Sequence, residues 1–251
     1  MKKKCSLKTY FAIPLCLLLQ LVSAQSIASD SFKPIQNAKD SQWSIGPVTG
    51  FKMIKSLVIY DLGIQLSRSV SAGKRVRVEV SYRSAGSNLA QNWGSIPMNM
   101  KTDIGSVLLG AGYDWFPFIR RSEDGKFLKS LKVIGGAWYI NKPEYNFNVS
   151  LQDPLVWGAL TFTPEEIGAV ATSIKTNKLQ PFLGLGYEPL YLIKNINLSI
   201  HGGFLYQGKP NVTMVATNML KPTEESAVRL EHNLASYQFS PFVQMLVQFN
   251  L

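Results

Sequence analysis

Asp61, Arg75, Arg77, Glu79, Asp114, Lys132 and His201 are the residues best placed to act electrostatically, because each falls on the small or polar side of an alternating run. Ions in a narrow, low-dielectric interior are costly unless paired, so an inward set of both signs implies an ion-pair network or water. Such a set can be a polar plug that rigidifies a small barrel, or a selectivity lining. Catalysis is not expected. The two histidines, His201 and His232, fall on an inward strand position and in an external loop, a spacing that makes neither a Ser-His-Asp set nor a metal cluster. No cofactor and no metal are expected.

These charges need strands to carry them, and the clearest pair lies within residues 178 to 217. Leu179, Pro181, Leu183, Leu185 and Tyr187 share one face against Gln180, Phe182, Gly184 and Gly186. In the next run Ile196, Leu198, Ile200, Phe204 and Tyr206 oppose Asn197, Ser199, His201, Gly203, Leu205 and Gln207. Side chains alternate faces along a strand, so the two runs form a hairpin, with a turn through Glu188 to Lys194.

Six further runs show the same period: Trp43 to Phe51, Val58 to Ser67, Arg75 to Arg83, Ser106 to Trp115, Leu131 to Tyr139, and Pro241 to Leu251. The third carries Arg75, Arg77, Glu79 and Arg83 on one side. The fold expected is all-β: an eight-stranded antiparallel transmembrane β-barrel with short helical pieces in external loops. A soluble barrel of the lipocalin type shows the same alternation, but two features favour the membrane. Glycine clusters on the inward face, where Gly184→Ala is expected to be tolerated better than a charge outside. Aromatic residues close the apolar stripes as an interfacial girdle: Tyr113, Trp115, Tyr139, Tyr187, Tyr206 and Phe249.

Short links follow the second, fourth and sixth runs and longer ones the third, fifth and seventh, the segregation of turns and loops found in outer-membrane barrels. The long links are a polar loop from Ser84 to Lys101, a connection from Asn141 to Asn177, and a segment before Pro241. Within the second, Thr163, Pro164 and Glu166 predict a capped helix over 164–173. Ala227, Leu230 and Leu234 predict another helical piece in 223–235.

Lys2, Lys3 and Lys4 precede an apolar run from Tyr10 to Val22 that ends Val22-Ser23-Ala24, which reads as a signal peptide over 1–24. Residues 25–41 read as a periplasmic tail and 42–251 as the barrel. Both cysteines, Cys5 and Cys16, lie in the leader, so the exported part has no disulfide or thiol metal site. The formal net charge is +10, but the basic residues outside the leader make no cluster beyond Lys74-Arg75-Val76-Arg77, and no nucleic-acid partner is expected. The expected location is the cell outer membrane. The expected partners are its lipids, small solutes, and the barrel-assembly machinery through the C-terminal strand.

YDWFPF at 113–118, LQPFLGLGYEP at 179–189, GGFLYQGKPNVTMVAT at 202–217 and FSPFVQMLVQFNL at 239–251 together carry a resemblance. They resemble a family of small Gram-negative outer-membrane barrels that includes the carbapenem-associated outer membrane protein, also called an ornithine-uptake porin. The resemblance runs from about Gly105 onward. It implies an eight-stranded outer-membrane barrel and a role in the passage of small basic amino acids. The expected function is therefore a narrow channel for small solutes; the alternative is a closed structural or surface-interaction barrel acting through its external loops.

Overall fold

The computed structural model describes residues 43–54, 57–93, 96–119, 126–193 and 196–251. The expected signal peptide and periplasmic tail lie outside these residues. Eight antiparallel strands close a barrel. They are β1 (Trp43–Ile54), β2 (Leu57–Ser71), β3 (Lys74–Trp93), β4 (Ile96–Trp115), β5 (Leu131–Ile140), β10 (Leu179–Ile193), β11 (Ile196–Tyr206) and β13 (Phe239–Asn250). Pairing of β1 with β13 and of β4 with β5 joins the ends of the sheet, so no ladder edge within the ring is left open.

Parity along each strand decides which side chains point outward, and the outward set is apolar all round the ring. Leu62 is 68% exposed, Leu183 66% and Phe204 62%, while their sequence neighbours Asp61, Phe182 and Leu205 are buried. A continuous apolar belt of this size cannot face water, and the fold is that of a transmembrane β-barrel. The lipid-facing stretch of β4, Val107 to Trp115, rises about 21 Å along the membrane normal at a usual strand tilt, close to the height of such a belt.

β1 begins and β13 finishes at one end of the barrel, which also holds the turn Ala72-Gly73 and α1 (Lys126–Lys129). Gly73 adopts φ +76, and its carbonyl accepts the backbone N–H of Phe116 at 2.8 Å. The opposite end carries the long connections. Here the expected loop Ser84 to Lys101 proves to be strand: β3 and β4 continue as a paired ribbon up to Trp93 and Ile96. Cross-strand pairing satisfies the polar backbone that, read alone, looked like loop.

That ribbon is the base of a second sheet. β6 (Glu144–Leu151) pairs with the upper part of β4, β9 (Ala169–Lys175) with β6, and β12 (Asn211–Ala216) with β9. β7 (Leu155–Trp157) and β8 (Leu160–Phe162) pair only with each other, as a separate small hairpin among the described residues. The helix expected over 164–173 is confined to α2 (Pro164–Ile167). Its capping box forms as read: the Glu166 N–H donates to Thr163 Oγ1 and the Thr163 N–H to Glu166 Oε2. Gly168 at φ +96 then turns the chain into β9, where pairing with β6 overrides the helical pattern. A 3₁₀ segment (Asn218–Ser226) and α3 (Ala227–Leu234) lead to β13.

Of the turn expected through Glu188 to Lys194, the described residues, Glu188 to Ile193, are likewise strand. β10 runs on to Ile193 with a register shift between Tyr187 and Leu190. Gly184 faces Gly203 across β10 and β11, and a Cβ on Gly184 would lie 2.3 Å from the Gly202 carbonyl oxygen. The inward face is therefore less tolerant at Gly184 than its small-residue pattern suggests: the clash is with backbone, which cannot give.

Candidate functional site

Asp61, Arg75, Arg77, Glu79, Asp114, Lys132 and His201 all point into the lumen and are buried. They do not make one network. An apolar layer stands between Asp61 and the group of Arg75, Arg77, Asp114, Lys132 and His201, while Glu79 lies level with that layer, beside Trp138 and within reach of the charges of Arg77 and Asp61.

In the half nearer the termini, Asp114 sits between two cations. Lys132 Nζ donates to its Oδ2 at 3.1 Å, and Arg77 Nε lies 3.4 Å from its Oδ1 as a charge contact without hydrogen-bond geometry. Lys132 also reaches Glu188 Oε2 at 2.9 Å. Glu188 in turn accepts a two-pronged bond from Arg75, at 2.8 and 3.1 Å. Arg75 continues the chain to Gln248, and Gln248 to Ser67. Arg77 Nη1 is 2.7 Å from His201 Nδ1. A guanidinium only donates, so Nδ1 accepts, the ring proton is on Nε2, and Nε2–H donates to Ser199 Oγ at 3.0 Å. Glu79 accepts from Gln244 and Ser81. The Phe116 ring faces both Arg75 and Lys132 at 5.4 and 5.5 Å, as cation–π contacts at this end of the lumen.

The apolar layer comprises Ile134, Trp138, Phe182, Leu205 and Phe242. Trp138 stacks on Phe182 at 4.6 Å, and Phe242 meets both rings edge-on. Glycine makes the room: a Cβ on Gly110 would meet Trp138 at 2.5 Å, and one on Gly136 would meet Phe182 at 2.8 Å.

Beyond this layer, Arg83 forks onto Asp61 at 2.8 and 2.9 Å. Lys52 Nζ donates to Gln207 at 2.8 Å and to Tyr145 Oη at 3.2 Å. Tyr145 lies on β6, outside the barrel. Burial pushes its phenol up, but the cations of Lys52 and Arg83 outweigh that, and its pKa lies below the ordinary phenol value. Tyr145 also packs with Ile59, Ala85 and Ile104, so the second sheet lays an apolar face over this end of the barrel.

Several of these groups escaped the sequence reading. Glu188 continues the inward parity of residues 180–186 but falls in the segment expected as a turn. Lys52 likewise continues the parity of Ser44 to Gly50, one step past the assigned strand. Arg83, visible on the charged face, was not joined to Asp61. Of the girdle, Tyr113, Trp115 and Phe249 point outward near the termini, and Tyr139 and Tyr206 point outward near the opposite end. Tyr187 is half-buried and packs on Phe127 at 5.0 Å.

No protein-family model matches the chain, and no curated protein sequence matches it. Among solved structures, CarO of Acinetobacter baumannii superposes with a TM-score of 0.54 at 16% identity, covering 85% of this chain and 99% of that one. CarO2 of the same organism gives 0.53 at 17% identity, covering 84% and 100%. At this identity the likeness establishes a shared fold, the small outer-membrane barrel.

Proposed function

We propose that the chain is an integral outer-membrane barrel whose lumen is closed in this conformation, and that it acts through the sheet and loops at the end opposite its termini. The observation that carries this reading is the packing of Trp138, Phe182 and Phe242 across the lumen, with buried ion pairs on both sides. A hydrated solute has no route past rings in van der Waals contact unless they move. With the termini end in the periplasm, β6, β9 and β12 stand at the cell surface, and β13 is the strand offered to the assembly machinery.

Purified protein in planar bilayers is the test. Closed barrels give no discrete conductance steps, and addition of ornithine, arginine or glutamate changes nothing. Steps in the native protein, altered by one of these solutes, would overturn the reading.

A second reading is a narrow, gated channel for small basic amino acids, as the family resemblance implies. It is favoured by the density of charge in the half nearer the termini, where Asp114 and Glu188 could exchange their bound cations for a solute amine. The same bilayer measurement separates the two readings.

A further inference from the structure

Each cross-strand row of inward side chains climbs the lumen as a spiral stair, because the strands of a closed barrel are tilted and staggered. One row is polar or glycine at every step. From the end near the termini it passes Lys132, Gly186, His201, Gln244, Gly50 and Asp61, each opposite the next in register. The two rows that follow carry the apolar layer, Ile134 and Phe242 in one, Phe182 and Leu205 in the other. A polar seam therefore runs past that layer and joins the levels of the two charged halves.

The seam continues through side chains that touch across it. Asp61 and Gln244 flank Gly50, where a Cβ would lie 3.1 Å from Gln244 Cγ and 3.7 Å from Asp61 Cβ. Gln244 Nε2 donates to the Glu79 carboxylate at 3.2 Å, and Ser81 Oγ donates to the same group at 3.2 Å. Asp61, Asp114 and Glu188 are each held by a cation, whereas the hydrogen-bond partners of Glu79 are neutral. The charges of Arg77 and Asp61 act on it from the two halves.

Spare hydrogen-bonding atoms gather around this carboxylate. Gln65 lies opposite Glu79 in register and is 1% exposed, yet neither atom of its amide makes a hydrogen bond among the described residues. Gln244 Oε1 and Arg77 Nη2 are buried in the same condition. Unpaired buried polar atoms are costly, and donors and acceptors gathered in this way are where buried water sits. Both ends of the seam touch solvent, for the side chain of Asp61 keeps 10% of its exposure and that of Glu188 8%.

We propose that the seam is a proton path: a file of water running past the apolar layer, with Glu79 as its relay. A hydronium on one side protonates the Glu79 carboxylate and becomes water. The carboxylic acid then gives its proton to a water on the other side, so one positive charge crosses and the carboxylate is restored. Transfer along hydrogen bonds needs no opening wide enough for a hydrated solute. Potassium and sodium cannot cross this way, and Arg77, Arg83 and Lys132 beside the seam repel them.

The experiment uses the full exported chain refolded into liposomes that hold a pH-reporting dye, with potassium and valinomycin present to balance charge. After an acid jump outside, the native protein should collapse the gradient faster than protein-free vesicles of the same lipid. Glu79→Gln keeps the shape of the side chain but removes the relay, and should return the rate to that of protein-free vesicles. Gln65→Leu should do the same by lining the seam with hydrocarbon. It gives up no hydrogen bond to the described residues, so it decides the matter where Glu79→Gln impairs folding. Ile134→Val, in the apolar layer, should keep the native rate, and the heat-modifiable folded band checks each variant.

A native rate equal to that of protein-free vesicles would overturn the inference, as would native rates in the folded Glu79 and Gln65 variants. Potassium release measured without valinomycin separates this from the closed-barrel reading. Release through the native protein would make the lumen an open pore and overturn both. Potassium retained with no proton transfer overturns the proton path alone and leaves the closed barrel standing.

Discussion

The Glu188 carboxylate takes both prongs of the Arg75 guanidinium, at 2.8 and 3.1 Å, and so braces β10 against β3 across the lumen. The two strands are not neighbours in the ring, for β4 and β5 lie between them. The contact is therefore a strut rather than a ladder pair.

Removing one end of that strut should be far worse than removing both. Glu188→Ala leaves Arg75 without its fork and deprives Lys132 of one carboxylate, and is expected to destabilise by about 3 to 5 kcal/mol. Adding Arg75→Gln should restore part of the loss, a coupling read from a double-mutant cycle of urea unfolding in lipid vesicles. Strictly additive losses would show that the strut carries no energy of its own.

Asp114 offers a second cycle, and the structure selects its partner. Lys132 retains Glu188 in direct contact when Asp114 is neutralised, whereas Arg77 keeps His201, the Phe182 ring and the charge of Glu79, which makes no ion-pair contact with it among the described residues. Asp114→Asn should therefore be rescued better by Arg77→Gln than by Lys132→Gln, measured by the same unfolding transitions. Equal rescue by either would count against the assignment.

Phe182→Ala tests the apolar layer. Loss of the ring that stacks on Trp138 should cost about 3 to 5 kcal/mol and open the apolar layer across the lumen. Conductance steps absent from the native protein should appear in planar bilayers. A variant that is destabilised yet still silent would mean the seal lies at the charged layers instead.

Glycine contrasts test the strand geometry. Gly184→Ala should lower stability by about 1 to 3 kcal/mol, because its Cβ would strike backbone. Gly202→Ala should be nearly silent, since the nearest atom to its Cβ is 3.9 Å away. Leu183→Arg, facing lipid, should cost about 2 to 4 kcal/mol. The comparison is made on the folded, heat-modifiable band; a Gly202 variant as damaged as the Gly184 variant would contradict the register.

Alternation in the sequence determined the barrel and the side on which nearly every named residue falls, because parity is a property of each strand's own backbone. Asp114 and Leu183 needed no partner to be placed. Tertiary structure decided which inward charges meet. Pairing across a lumen depends on strand stagger and on how far each strand runs past the turn signals that seem to end it. Glu188 reaches Arg75 only because β10 continues beyond Tyr187, and Asp61 is cut off from Asp114 because Trp138, Phe182 and Phe242 converge from three strands distant in the chain. The second sheet was equally out of reach of the sequence: polar segments that read as loops became strands once β4 supplied hydrogen-bonding partners to β6 and, through it, to β9 and β12.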